Sequence, residues 1–212
     1  GRFASIIDVY REMLSTGETI QAYIPEAGSW KDLGTPQRYL DLTYEEMTRE
    51  AFGIAFPNMS HRPPVKRQLK GDGSDRTWYR LTRDDQSLVM ADHGIWEGDG
   101  TTEAAAFVRI GSHLKKKGVP VPEIILYDTF SGLVFMEDLG DTHLQTVVGA
   151  CGDANEVAAW YRQVIDILVE MWSCARVAFD TSWTCQSARY DKNFITAYEC
   201  RYFVDAFLNS YL

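Results

Sequence analysis

The sequence is short of positive charge, has no paired cysteine motif and contains no long apolar run. Its 212 residues carry 21 Lys and Arg against 30 Asp and Glu, a formal net charge of −9. Binding a polyphosphate backbone needs a basic face, so this balance argues against a nucleic-acid partner. Small phosphorylated ligands stay open, because they need only a local nest of N–H groups or a metal. The four cysteines, Cys151, Cys174, Cys185 and Cys200, fall in the last third, and no two have C-x-x-C spacing. Neither a zinc site nor a redox motif is signalled, and reduced thiols in a cytoplasmic protein are expected. No run of 18 apolar residues exists and the first residues lack a signal-peptide pattern, so neither a transmembrane helix nor a membrane partner is expected. There is no internal repeat and no low-complexity segment. What is present is ample core material, with 45% hydrophobic residues.

The stretch with the most chemistry is Gly71-Asp72-Gly73-Ser74-Asp75-Arg76-Thr77-Trp78-Tyr79-Arg80-Leu81. It is a glycine-bearing turn that runs into an alternating strand pattern. Such a strand–turn–strand can lay backbone N–H groups over phosphate oxygens. Taken alone, it reads first as an ordinary hairpin loop.

The spacing of Phe3, Ile6, Ile7, Tyr10 and Leu14 predicts a helix over 1–14. Alternation predicts a strand from Thr19 to Ile24, and a capping-box pattern of Thr43 with Glu46 predicts a helix from Thr43 to Phe56. Pro57, Asn58, Pro63 and Pro64 then break the chain. Strands are predicted at Val65–Lys70, Thr77–Arg83, Ser87–Asp92, Glu123–Thr129 and Gly132–Asp138. The tight connections at Asp84-Asp85 and Ser131-Gly132 imply antiparallel neighbours. A helix from Thr102 to Lys117 separates the third and fourth strands and ends at Gly118. Two apolar-faced helices, from Asp153 to Arg176 and from Lys192 to Tyr211, read as core helices.

Residues 28–40 include Trp30-Lys31-Asp32-Leu33-Gly34-Thr35-Pro36, followed by Arg38-Tyr39-Leu40. From the residues alone, Asp32 is a metal ligand or a turn carboxylate. This pattern resembles the closing segment of sugar-1-phosphate nucleotidyltransferases. The resemblance implies that Asp32 would help hold a catalytic magnesium in an intact enzyme of that kind. The glycine-rich nucleotide-binding start of that family is absent, so residues 1–42 resemble only its C-terminal tail.

Three strands, a helix and two strands, with Gly73-Ser74-Asp75 in the first turn and Val134-Phe135-Met136-Glu137-Asp138-Leu139-Gly140-Asp141 closing the last, fall at kinase-like spacing. The combination resembles the aminoglycoside phosphotransferase and choline kinase family. Within it, the pattern is similar to bacterial anomeric kinases of N-acetylmuramic acid and N-acetylglucosamine. The resemblance covers about residues 65–212 and implies an α+β fold. That fold is a protein-kinase-like small lobe, with a five-stranded antiparallel sheet and a helix, followed by the first helices of the large lobe. The domain division expected is a nucleotidyltransferase-like tail at 1–42, a helix and linker at 43–63, the small lobe at 64–138 and the start of the helical lobe at 139–212.

The function implied is an ATP-dependent phosphotransferase with Mg2+, acting on a sugar or amino sugar. Gly73, Ser74 and Asp75 would lie over the nucleotide phosphates. Met136, Glu137, Asp138 and Leu139 would form the hinge that reads the adenine edge. Glu103 matches the helix glutamate that normally pairs with a third-strand lysine, but Ser87–His93 contains no lysine. Arg80, on the neighbouring strand, is a candidate substitute cation, or else a surface arginine. None of His61, His93, His113 and His143 opens a His-Gly-Asp or His-Arg-Asp loop, so the catalytic base is expected beyond Leu212. The expectation is therefore a fragment without turnover by itself. The alternatives are a non-catalytic nucleotide-binding or scaffold module and a remnant of a fused nucleotidyltransferase.

Overall fold

The computed structural model describes residues 5–24, 31, 33–60, 62–70, 76–96, 98, 100–187 and 189–209. Its centre is a five-stranded sheet made of β1 (Val65–Gln68), β2 (Thr77–Arg83), β3 (Gln86–Asp92), β4 (Ile124–Asp128) and β5 (Leu133–Glu137). The spatial order is β1-β2-β3-β5-β4 and every neighbouring pair is antiparallel. Hairpins join β2 to β3 and β4 to β5. Asp84 takes the left-handed conformation (φ 54°) in the first, and Gly132 (φ 74°) in the second. At Gly132 only glycine fits, because a Cβ there would sit 2.2 Å from the Gly94 carbonyl oxygen.

Side chains alternate across a strand, and here each face meets a different helix. The outer face presents Leu81, Leu88, Met90, Leu133 and Phe135 to Met47, Ala51 and Phe52 of α2 (Pro36–Ala55). The inner face presents Trp78, Ala91, Val134 and Met136 to Ala104, Phe107 and Val108 of α3 (Glu103–Lys116). The Thr102 hydroxyl caps α3 by accepting from the Ala105 N–H at 2.9 Å, and three basic side chains sit in its last turn. The fold is α+β, with the sheet and helix of a kinase-like small lobe.

Three local expectations change. Residues 19–24 form no strand and are exposed, since no described strand lies beside them to complete a ladder. The helix expected from Thr43 begins at Pro36. Thr35 accepts from the Arg38 N–H at 3.3 Å and proline occupies the first turn, a stronger start than the internal Thr43–Glu46 pair. The segment after β5 contains a short helix, α4 (Leu144–Ala150), that the sequence reading did not anticipate.

The expected helices beyond it are present as α5 (Ala154–Cys174) and a helical stretch over 192–208 that contains π turns. Neither is a core helix among the described residues. No residue of α5 is buried, and Leu168 and Trp172 are exposed. The end of α5 and the turn after it meet the small lobe along α3. The His113 ring, near the end of α3, donates from Nε2 to the Ala175 carbonyl at 2.6 Å and lies against Phe179 and Trp183. Among the described residues, α1 (Ile6–Ser15) buries no side chain, and no helix is long and apolar enough to cross a membrane.

Candidate active site

The inner face of the sheet carries a row of polar and aromatic side chains. Alternation along β2 puts Trp78 and Arg80 on this face, and the same period carries back to Arg76. Register pairs Arg80 with Val89 and Trp78 with Ala91. Continuing that register sets Arg76 opposite His93.

At one end of the row, Arg80 is locked into the segment that follows β5. Its Nε and Nη2 donate to the two carboxylate oxygens of Asp138 at 2.6 and 2.9 Å, and Nη1 donates to Asp141 at 2.5 Å. The Ser87 hydroxyl and the Gly140 N–H also donate to Asp138, at 2.6 and 2.9 Å. The Arg80 side chain is 12% exposed and that of Asp138 only 5%. Burial works against the Asp138 charge. The hydrogen bonds from Arg80, Ser87 and Gly140 outweigh it and hold the carboxyl below the usual range, while the two carboxylates push the Arg80 pKa up. The turn 138–141 is thus shaped by one fork-to-fork ion pair.

Beside this pair opens a cleft of about 570 Å³. Trp78, Val89, Phe107 and Met136 wall it, and Asp138 to Asp141 form its lip. Leu139 is exposed, and its main chain makes no hydrogen bond among the described residues. An apolar slot edged by a free N–H and C=O suits a flat heteroaromatic ring, because the walls stack on its faces and the lip reads its edge. The residues present therefore fit an adenine base.

At the other end of the row, Arg76 Nη2 pairs with Glu103 Oε1. The second oxygen of Glu103 lies 3.5 Å from His93 Nδ1. Arg76 Nε is buried without a hydrogen-bond partner, as are both His93 ring nitrogens. The His93 side chain is 3% exposed and packs near Phe107. Its backbone N–H donates to the Gly132 carbonyl at 3.0 Å. Burial pushes the His93 pKa down, Glu103 partly opposes this and Arg76 reinforces it.

The consequence has a definite sign. A base held below its unfolded pKa of about 6.5 must take up a proton on unfolding. This contribution to stability is whole above that value and is lost as pH falls from about 6.5 through the depressed folded value. Melting temperature is expected to drop over that window in the wild type and to drop less in His93→Gln, as followed by circular dichroism across a pH series.

The sequence-derived site residues fall into three groups. Gly73, Ser74, Asp75 and Asp32 lie outside the described residues. Met136, Asp138 and Leu139 line the cleft together with Glu137. The Glu137 N–H donates to the Glu123 carbonyl at 2.9 Å, and its carboxylate accepts from the Glu123 N–H at 3.1 Å. Arg80 is neither a surface arginine nor a free cation, since two carboxylates hold it. Glu103 has an ion-pair partner, but that partner is Arg76, which the sequence reading passed over. The alternation Arg76, Trp78, Arg80 was the available signal. Among the described residues no group of three or more His, Cys, Asp or Glu side chains is arranged to hold a metal ion. The magnesium ligands implied by the resemblance are therefore not assembled from these side chains, and no step is derived through that ion.

No solved structure matches the chain. One similar curated protein is Protein phosphatase 2C homolog 3 of Schizosaccharomyces pombe (strain 972 / ATCC 24843), 24% identical over 151 residues. The match covers 71% of this chain and 35% of that protein's length, so the chain spans about a third of the curated relative it matches. That name describes the yeast protein and is not carried over. The model of the phosphotransferase enzyme family, APH, matches residues 66–205, which run from β1 through the sheet, α3, the cleft and the helices beyond. With most of its length covered by that match, the chain belongs to the phosphotransferase enzyme family.

Proposed function

We propose that the chain carries the nucleotide-binding part of an ATP-dependent small-molecule phosphotransferase whose acceptor is a sugar or amino sugar. The observation that carries the nucleotide half is the cleft. Its apolar walls, the free main-chain edge at Leu139 and the ion pair at the far end of the row support a reading with base recognition at one end and phosphate recognition at the other. The acceptor class rests on the likeness to anomeric amino-sugar kinases and on the nucleotidyltransferase-like pattern in residues 1–42, which suggests a partner reaction on the same sugar 1-phosphate. In this reading residues 64–138 are the nucleotide-binding lobe and 139–212 begin the helical one.

The chain's own part in such a reaction is positioning. Leu139 orients the base, the inner face of β2 directs the phosphate tail along the cleft, and Arg76 offers a cation near its end. ATP supplies the transferred phosphoryl group when bound. Transfer of this kind is catalysed mainly by placement and charge stabilisation.

Isothermal titration of the purified protein with ATP and with GTP tests the reading. Micromolar to submillimolar binding of a purine nucleotide is expected, together with loss of that binding on Val89→Trp, which fills the slot. A wild type that binds neither nucleotide overturns it. Coupled ADP release with a panel of hexoses and hexosamines then addresses the acceptor.

A further inference from the structure

We infer that Arg76 is the side chain that engages the phosphate tail of the nucleotide, taking at the start of β2 the part that a lysine on β3 plays in related folds. This deepens the nucleotide reading above and rests on it.

Kinase-like sites hold a cation over the phosphates by pairing it with a helix glutamate. In this chain the glutamate is present, as Glu103 at the first position of α3, while β3 reads Gln86-Ser87-Leu88-Val89-Met90-Ala91-Asp92 and supplies no cation. The inner-facing site where such a side chain could arise on β3 is filled by Ala91, fully buried in the apolar cluster with Ala104 and Val134. The guanidinium that reaches Glu103 comes instead from the adjacent strand, through Arg76.

Three observations separate Arg76 from the other arginine of the row. Arg80 has both edges of its fork consumed by Asp138 and Asp141. Arg76 spends one terminal nitrogen, Nη2, on Glu103, its side chain is 23% exposed, and no second carboxylate pairs with it among the described residues. Its position also suits the tail. Arg76 directly follows Gly71–Asp75 in sequence and lies four residues along the strand direction from Arg80 and the lip of the cleft, roughly 13 Å at about 3.3 Å per residue.

Glu103 fixes the guanidinium from one side. His93 stands behind Glu103, neutral because burial and Arg76 both disfavour its charge, and so does not displace the arginine. A guanidinium with donors to spare matches phosphate oxygens better than an ammonium would, since it can bind two of them at once.

The test compares adenosine, AMP, ADP and ATP by calorimetry in the wild type, Arg76→Gln and Arg76→Lys. One charge-assisted hydrogen bond to phosphate corresponds to roughly a 10- to 100-fold change in affinity. Arg76→Gln is expected to lose that factor for ADP and ATP and to keep the wild-type adenosine affinity. Arg76→Lys, which preserves the charge against Glu103, covers the case in which Arg76→Gln does not fold. It is expected to weaken ATP several-fold with adenosine unchanged. ATP affinity within twofold of wild type in a folded variant overturns the assignment while leaving the nucleotide reading intact. Equal loss for adenosine and ATP also overturns it, because that outcome marks a purely structural role. A wild type that binds none of the four ligands removes the nucleotide reading itself.

Discussion

Phe52→Ala is expected to lower the unfolding free energy by about 3–5 kcal/mol. The ring is fully buried between α2 and the outer face of the sheet, among Leu81, Leu88, Met90 and Phe135. Its removal forfeits the transfer free energy of a large side chain and leaves a void that a sheet hydrogen-bonded on both sides collapses into only partly. A second loss follows from Arg83. That guanidinium lies 4.3 Å from the Phe52 ring centre, is buried and donates to the Ser60 carbonyl at 3.1 Å. Without the ring, the charge loses its aromatic face and faces a cavity instead. Urea denaturation followed by tryptophan fluorescence measures the change. Phe52→Leu should recover more than half of it, because most of the volume is restored. A loss below about 1 kcal/mol for Phe52→Ala would mean that α2 does not pack on this face.

Asp138→Ala is expected to cost about 3 kcal/mol, the scale for breaking a buried ion pair and leaving one partner charged. The exposed Asp141 remains beside Arg80 and softens the penalty. The carboxylate serves two nitrogens of Arg80, the Ser87 hydroxyl and the Gly140 N–H together, so one truncation frees four donors. Asp138→Asn keeps the shape and part of the bonding, and about half of that cost is expected. The pH dependence separates charge from shape. Asp138 is a carboxyl held below its unfolded value. Its contribution is therefore present above about pH 4 and lost as pH falls through the lower folded value. Wild type and Asp138→Ala should converge in stability as pH falls below about 4 and differ most near neutrality. The turn that Asp138 shapes also carries Leu139, so nucleotide affinity should fall with stability in Asp138→Ala.

The two faces of the sheet were legible because period-two patterning in β2, β3 and β5 states which residues turn inward, and because Asp84-Asp85 and Ser131-Gly132 leave room only for hairpins. The end of β5 was legible for the same reason. The pairing chemistry was harder to read. Arg80 read as a spare cation because Asp138 and Asp141 are distant in sequence and meet it only through β3, which separates β2 from β5. Arg76 was hidden by its place directly after the glycine-bearing stretch 71–75, where a long polar side chain reads as loop. Its partner lies on α3, and only the β2–β3 register brings it level with His93 and the first turn of that helix. The start of α2 differs because Thr43 and Glu46 imitate a cap that Thr35 and Pro36 supply about two turns earlier in the same helix. The apolar face of α5 reads as core by period alone, yet burial depends on a partner surface that periodicity does not specify.

The tether at His113 gives α3 a mechanical role. The helix begins with Glu103, which grips Arg76, and ten residues on, roughly 15 Å at 1.5 Å per residue, His113 grips the carbonyl at the end of α5. A hydrogen-bonded helix of this length moves as a beam, so its two grips cannot shift independently. A displacement at Ala175 would therefore be felt at Glu103 and at the Arg76 guanidinium it holds.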